Sequence, residues 1–321
     1  MGLHRYLLLR LAQLIPVALV VVVLNFTLIH LAPGDIASVL AGEGADPEYK
    51  TAVRASYGLD QSFLVQLARY LGHVLMGDLG TSFRSHAPVL DEILARVPAT
   101  LLLVGSSLLV SVGLGTWLGT MIARRPGSWL DTIVSTVSVS LFSLPVFWLG
   151  LMLILLVAVK GHLLPSSGMR AIGGPREGVG MVLDVLRHLA LPALTLACVW
   201  IGQYVRLART SVSEVLAEAY IGTVRAIGFP ERRVLTHYAL RNALLPIVTV
   251  FGLQLGLMLT GAVLTETVFS WPGLGRMIYE AILARDTPVI MGAFVAMSFT
   301  VAIASLVTDL VYAALDPRVR L

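Results

Sequence analysis

Uninterrupted apolar runs of membrane-crossing length constrain this chain more than any motif it carries. A helix needs about 20 residues to cross about 30 Å of hydrocarbon. Six segments reach that length, near residues 9–32, 98–123, 133–159, 188–208, 243–266 and 289–315. Inside a bilayer each backbone polar group must find its partner within the protein, which leaves helices or a closed barrel, and runs this long and continuous are helices. Composition points the same way. Of 321 residues 57% are hydrophobic and only 13% charged, with a mean hydropathy of +0.85, whereas a soluble domain keeps roughly a quarter charged. The reading is an all-α membrane protein with six transmembrane helices. The first run follows Arg5 and Arg10 like a signal peptide. Its apolar core over 14–31 is too long for one, however, and ends in Pro33-Gly34-Asp35 without a small-x-small cleavage site, so it reads as a retained span.

Orientation comes from the arginines, since Lys50 and Lys160 are the only lysines. With the amino terminus inside, the inner segments hold twelve basic residues against five acids. The outer ones hold eleven against about twelve, over nearly twice the length. Short loops near span ends weigh most in the positive-inside rule, which favours both termini in the cytoplasm. The outer segment 33–97 is too long for a simple connector. With turns at Tyr57-Gly58-Leu59-Asp60 and Gly77-Asp78-Leu79-Gly80, it is expected to fold as a helical cap. The chain is thus divided into 1–97, the first span with its cap, and 98–321, a core of five spans. The outer segment 161–187 is glycine-rich and expected to be irregular, and 269–288 opens on Trp271-Pro272-Gly273 and is expected to dip back towards the membrane. Gly115 with Gly119, and Gly252 with Gly256, form small-x-x-x-small pairs, which read as packing within the chain ahead of a subunit interface.

Several chemistries are excluded. The phosphate-binding loop needs a lysine directly after glycine, yet Lys50 follows Tyr49 and Lys160 follows Val159, so this chain does not hydrolyse ATP by that route. H-E-x-x-H and the G-x-S-G element of intramembrane serine proteases are both missing, and the histidines are scattered. His162 and His188 read as interfacial side chains ahead of ligand-binding ones. The lone Cys198 forms no disulfide or cysteine-based metal site within the chain. The arginines flank apolar runs instead of forming one basic surface, which argues against nucleic acid. Glu266 and Asp309 fall late in the fifth and sixth spans. With Trp271 they are candidates for the substrate path, although carboxylates so near span ends also read as structural or hydrated.

One inner stretch breaks the pattern. Residues 211–246 are basic and helically spaced, with Val212, Val215, Leu216, Ala219, Tyr220 and Val224 on one expected helix face. Gly228 interrupts. Pro230 and Glu231 then suit the first turn of a second helix, whose own stripe is Val234, Leu235, Tyr238 and Ala239. A helix–glycine–helix element outside the bilayer, between spans four and five, reads as a docking device for another protein.

Placed there, the element makes the chain resemble the B-type permease of the dipeptide, oligopeptide and nickel branch of binding-protein-dependent ABC importers. The resemblance rests on Pro33-Gly34-Asp35, the two outer turns extended to Thr81-Ser82, Arg225-Ala226-Ile227-Gly228, the run from His237 to Pro246, the run from Thr265 to Gly275, and Leu315-Asp316-Pro317-Arg318-Val319-Arg320, in order over most of the chain. It implies a type I importer fold in the bacterial inner (plasma) membrane. It also implies a second, C-type permease, two ATP-binding subunits that hold ATP and Mg, and an extracytoplasmic substrate-binding protein. No cofactor is expected in this chain, and no enzyme activity of its own. The coupling loop, 209–243, is implied to meet the ATPases through Glu218, Ala219, Tyr220, Arg225, Gly228, Arg232, Arg241 and Asn242. Glu218-Ala219-Tyr220 stands where the family has its E-A-A signature, and Gly228 in the place of the signature glycine. The usual isoleucine-x-leucine-proline ending is replaced by the run from Ala239 to Pro246, a departure that makes Gly228 and its flanks the firmer match. Peptides are the expected cargo, with glutathione and nickel chelates handled by related permeases. A self-contained secondary transporter or channel is the alternative class.

Overall fold

The computed structural model describes residues 3–31, 45–56, 58–175 and 177–315. Pro33-Gly34-Asp35, Tyr57 and the 316–320 tail lie outside the described residues, as does the side chain of Asp309. Among the described residues regular structure is helical, apart from a single bridge between Thr81 and Pro88. The helices are α1 (Leu3–Leu31), α2 (Pro47–Ser56), α3 (Phe63–Leu75), α4 (Val89–Ala123), α5 (Trp129–Ser143), α6 (Val146–Leu153), α7 (Gly178–Leu216), α8 (Ala219–Ala226), α9 (Leu240–Val268), α10 (Leu274–Ala284) and α11 (Thr287–Leu315). Two stretches, Ile154–Lys160 after α6 and Val234–Ala239 before α9, wind as π-helix.

Among the described residues four helices are long and apolar enough to cross a membrane, within Val89–Ala123, Gly178–Leu216, Glu231–Gly252 and Thr287–Leu306. A fifth is formed if the bent pair Trp129–Ser143 and Val146–Lys160 counts as one span, and Leu19–Leu31 is a shorter apolar helix. The third expected span is therefore not straight. Its halves meet at 106°. Pro145 explains the break: the residue before a proline is kept out of the helical region, and Leu144 is extended at ψ 138°. The fourth helix overruns its expected ends on both sides. At 39 residues it is about 58 Å long at 1.5 Å per residue, well beyond a hydrocarbon core. Leu109, Trp117, Leu151 and Phe299 stay exposed on these helices, which suits a protein whose local solvent is hydrocarbon.

The chain forms two compact units. The first joins Met1–Pro98 to Arg276–Ala302. In it Asn25 donates to the Met291 carbonyl at 3.2 Å. The 82–84 turn closes on the buried Asp286 carboxylate, which accepts from the Ser82 hydroxyl at 2.6 Å and from the Phe83 and Arg84 amides at 3.2 Å. The second unit joins Ala99–Gly275 to Ile303–Arg320. Here α7 packs against both α5 and α9. Gly115 and Gly119 allow α4 to lie against α7: a Cβ on Gly119 would stand 2.5 Å from the Val205 carbonyl and 2.7 Å from the Ala208 methyl. That pair serves packing within the chain.

Candidate coupling surface and buried turn

The stretch 211–246 folds differently from its periodicity. α7 runs through Val212 and Val215 and ends at Leu216, with Ala217 as its C-cap. Glu218 is extended at ψ 143°, and α8 restarts at Ala219. The single helix expected over 212–224 is thus two. The second half differs as well, for Pro230 is the N-cap of a short turn, Glu231–Arg233, which passes through the π stretch into α9. A separate second helix after Gly228 does not form. Only the eight-residue α8 stands apart from the long helices.

The expected stripe is real in its destination. Ile221 is wholly buried with Val234 and Ala239, and Val215, Leu216, Val224, Phe229 and Tyr238 close around them. A second cluster joins Ala123 of α4, Val212, Leu235 and Ala243. These side chains hold α8 onto its own chain, so they build the knob and do not form its outer face. Tyr220, which the sequence places in the stripe, is exposed: its hydroxyl donates to the Tyr238 carbonyl at 3.1 Å and accepts from Asn242 Nδ2 at 2.9 Å. Arg225 forks onto Glu231 at 2.7 and 3.2 Å, which holds its guanidinium above its ordinary pKa. Gly228 turns the chain at φ +92°, the left-handed region that glycine enters at least cost. Arg233 lies over the Phe229 ring at 5.1 Å.

Of the predicted coupling residues, Tyr220 and Asn242 are brought into contact. Glu218 and Ala219 open α8, Arg225 and Gly228 close it, and Arg232 and Arg241 are exposed nearby. The outward side of α8 carries Ala219, Tyr220, Gly222, Thr223, Arg225 and Ala226, followed by the 70% exposed Ile227. It is a surface of mostly small residues whose one cation, Arg225, is paired with Glu231.

The path candidates Glu266 and Trp271 meet in one buried turn. Glu266 is 0% exposed and accepts from the Thr100 hydroxyl at 2.6 Å. The Leu274 amide donates to that hydroxyl at 2.8 Å. Trp271 is equally buried, donates Nε1–H to the Ala99 carbonyl at 2.8 Å, and returns its amide to the Glu266 carbonyl at 2.8 Å. Of the structural and hydrated readings of Glu266, its burial favours the structural one: the chain folds back over it. Gly273 is required there, because a Cβ would overlap the Glu266 carboxylate. After the turn, within the segment expected to dip back towards the membrane, the chain is helical as α10. His188 is buried against the Asp184 carbonyl at 2.8 Å, and His162 is exposed.

Sequence reasoning missed Ile221 as the anchor of α8, Thr100 as the partner of Glu266, and the pairing of Asp131 with Arg209. Only Ile221 left a local signal, its i, i+3 spacing to Val224.

Comparison with known proteins agrees with this architecture. Residues 115–321 match the family described as binding-protein-dependent transport system inner membrane component, and residues 3–104 match its N-terminal region. The chain is 38% identical to the dipeptide transport system permease protein DppB of Escherichia coli (strain K12), covering 98% of each. It is 42% identical to that strain's probable D,D-dipeptide transport system permease protein DdpB, over 93% of this chain and 92% of the other. Identity to the glutathione transport system permease protein GsiC of Salmonella paratyphi A is 39%, covering 98% of each. Among solved structures, an inward-facing MetNI methionine ABC transporter matches with a TM-score of 0.58 at 18% identity, over 71% of this chain and 97% of that chain, a likeness of fold. The chain belongs to the family of binding-protein-dependent transport system inner membrane components.

Proposed function

We propose that this protein is the pore subunit of an ATP-driven importer for peptides, in which α8 receives the motion of separate ATP-binding subunits. One observation carries the reading. α8 is an eight-residue helix standing between two long apolar helices, fixed by a wholly buried Ile221 and offering a surface of small residues. Such a knob transmits displacement instead of absorbing it, because its core has no room to slide.

In this reading six helices cross the membrane, α5 and α6 together forming the third crossing, with both termini in the cytoplasm. The segment holding α2 and α3 caps the outer face. A C-type permease supplies the other half of the path, and a binding protein delivers cargo from outside. ATP and Mg are held by the two ATPases. The peptide assignment draws on relatives named for dipeptides, with glutathione, itself a peptide, within the same range. Glu266 and Trp271 support the path as braces of its wall.

The test is the complex purified in mild detergent, with its ATP hydrolysis measured across di- and oligopeptides, glutathione and nickel chelates delivered by the binding protein. Stimulation by peptides supports the reading. A chain that purifies alone and carries substrate without ATP is a secondary transporter, and the proposal then fails.

A further inference from the structure

Seven residues before the end of α7, Arg209 grips Asp131 of α5 in a bidentate ion pair, Nε to Oδ1 at 2.6 Å and Nη2 to Oδ2 at 2.7 Å. Asp131 is 4% exposed and fully engaged, accepting also from the Gly127 amide at 2.9 Å and the Ser135 hydroxyl at 3.3 Å. The carboxylate therefore locks the short turn between α4 and α5 as well as the first turn of α5. Arg209 approaches from a helix already pressed against α4 at Gly119, where a Cβ would stand 3.0 Å from the Arg209 amide. Beyond Arg209, about 10 Å of helix leads to the break before α8. Three helices and the base of the coupling loop thus meet at one charged fork.

Apolar contacts at this level, such as Ala123 with Val212, bring the helices together but do not fix rotation about a helix axis. A planar guanidinium on a carboxylate does, because both bonds hold only in one orientation. Asp131 is buried while the Arg209 side chain is 36% exposed. Such a partly buried pair contributes little net stability, and the best-attested use of an ion pair inside a protein is to fix register.

We propose that Asp131 and Arg209 are positioning residues of the transport cycle, a rotational lock through which displacement of α8 moves α4, α5 and α7 as one body. The proposal rests on the reading that α8 docks on ATP-binding subunits.

The experiment uses the whole complex in lipid vesicles, with Asp131→Asn, Arg209→Lys and the swap Asp131→Arg with Arg209→Asp. Asp131→Asn is expected to retain its ATPases and its basal hydrolysis. Stimulation by loaded binding protein, and uptake, should fall about tenfold, the scale of a coupling free energy. Arg209→Lys, which keeps the charge but loses the fork, should fall between. The swap, which restores the ion pair but leaves the Gly127 amide and Ser135 hydroxyl without their acceptor, should recover part of the loss. Full stimulation in Asp131→Asn overturns the proposal. So does a parallel loss of ATPase retention, basal hydrolysis and uptake in all variants, because the pair is then only structural. A wild-type complex that holds no ATPase is a different result, for it removes the docking reading and not the lock alone.

Discussion

At the scale of single residues, two glycines make opposite demands. Gly228 sits at φ +92° with no atom within 4 Å of a prospective Cβ, so Gly228→Ala meets only backbone strain, about 1–2 kcal/mol. Such a variant should insert normally and keep most of its ATPase. Gly228→Pro also loses the amide that donates to the Arg225 carbonyl at 2.9 Å and demands φ near −65°. It should lose the ATPase on co-purification while remaining in the membrane. Gly273→Ala, by contrast, pushes into the Glu266 carboxylate. Overpacking of that kind costs about 1–3 kcal/mol, and a lower melting temperature in detergent is expected. Asp78 gives a pH prediction. Its carboxyl is held below the usual range by the Gly80 amide at 2.9 Å and by His73 at 2.9 Å. A depressed carboxylate contributes its stability above the unfolded pKa and loses it as pH falls through the folded one. Protection of the Gly80 amide against hydrogen exchange should therefore be flat across neutral pH and fail only below the ordinary carboxylate range. Residues differed in how legible they were. Gly228 was readable because a glycine between two apolar stripes has few other uses. Asp131 and Arg209, 78 positions apart, carry no local signal of their pairing. Glu266 read as structural or hydrated with no choice between them, because nothing local shows that Trp271 returns to cover it.

At the scale of elements, the apolar period ran unbroken over 212–224 although the helix does not. Ile221 and Val224 return to the core that Val215 and Leu216 already face, so the pattern records a shared destination and is blind to the break at Ala217. The bend before α6 falls at Pro145, yet Pro98, Pro192 and Pro246 lie inside continuous helices. The proline thus singled out neither the break nor its 106°, because a proline bars one conformation without choosing the exit angle. The element predicts a separation of folding from docking. Ile221→Asp places a charge in a dry cluster, a cost above about 2 kcal/mol, and should expose residues 214–231 to limited proteolysis as well as releasing the ATPase. Thr223→Asp lies on the exposed side. It should leave proteolysis unchanged and still weaken ATPase retention.

For the whole molecule, apolar length alone located helices in all six expected regions, and the first compact unit holds Met1–Pro98. That Arg276–Ala302 joins the same unit was not legible, since it depends on long-range contacts such as Ser82 with Asp286. With Cys198 replaced by serine, a single cysteine at Thr223 should react with an impermeant thiol reagent only in inverted vesicles, and one at Leu163 only in right-side-out vesicles.

The central claim is that this chain moves cargo only as the membrane part of an ATP-powered assembly, and stoichiometry tests it most directly. Native mass spectrometry of the complex extracted in mild detergent should show one copy of this chain, one C-type permease and two ATPases, with the ATPases lost from Gly228→Pro. Recovery of the chain alone or as a homo-oligomer that carries out uptake without ATP contradicts the account.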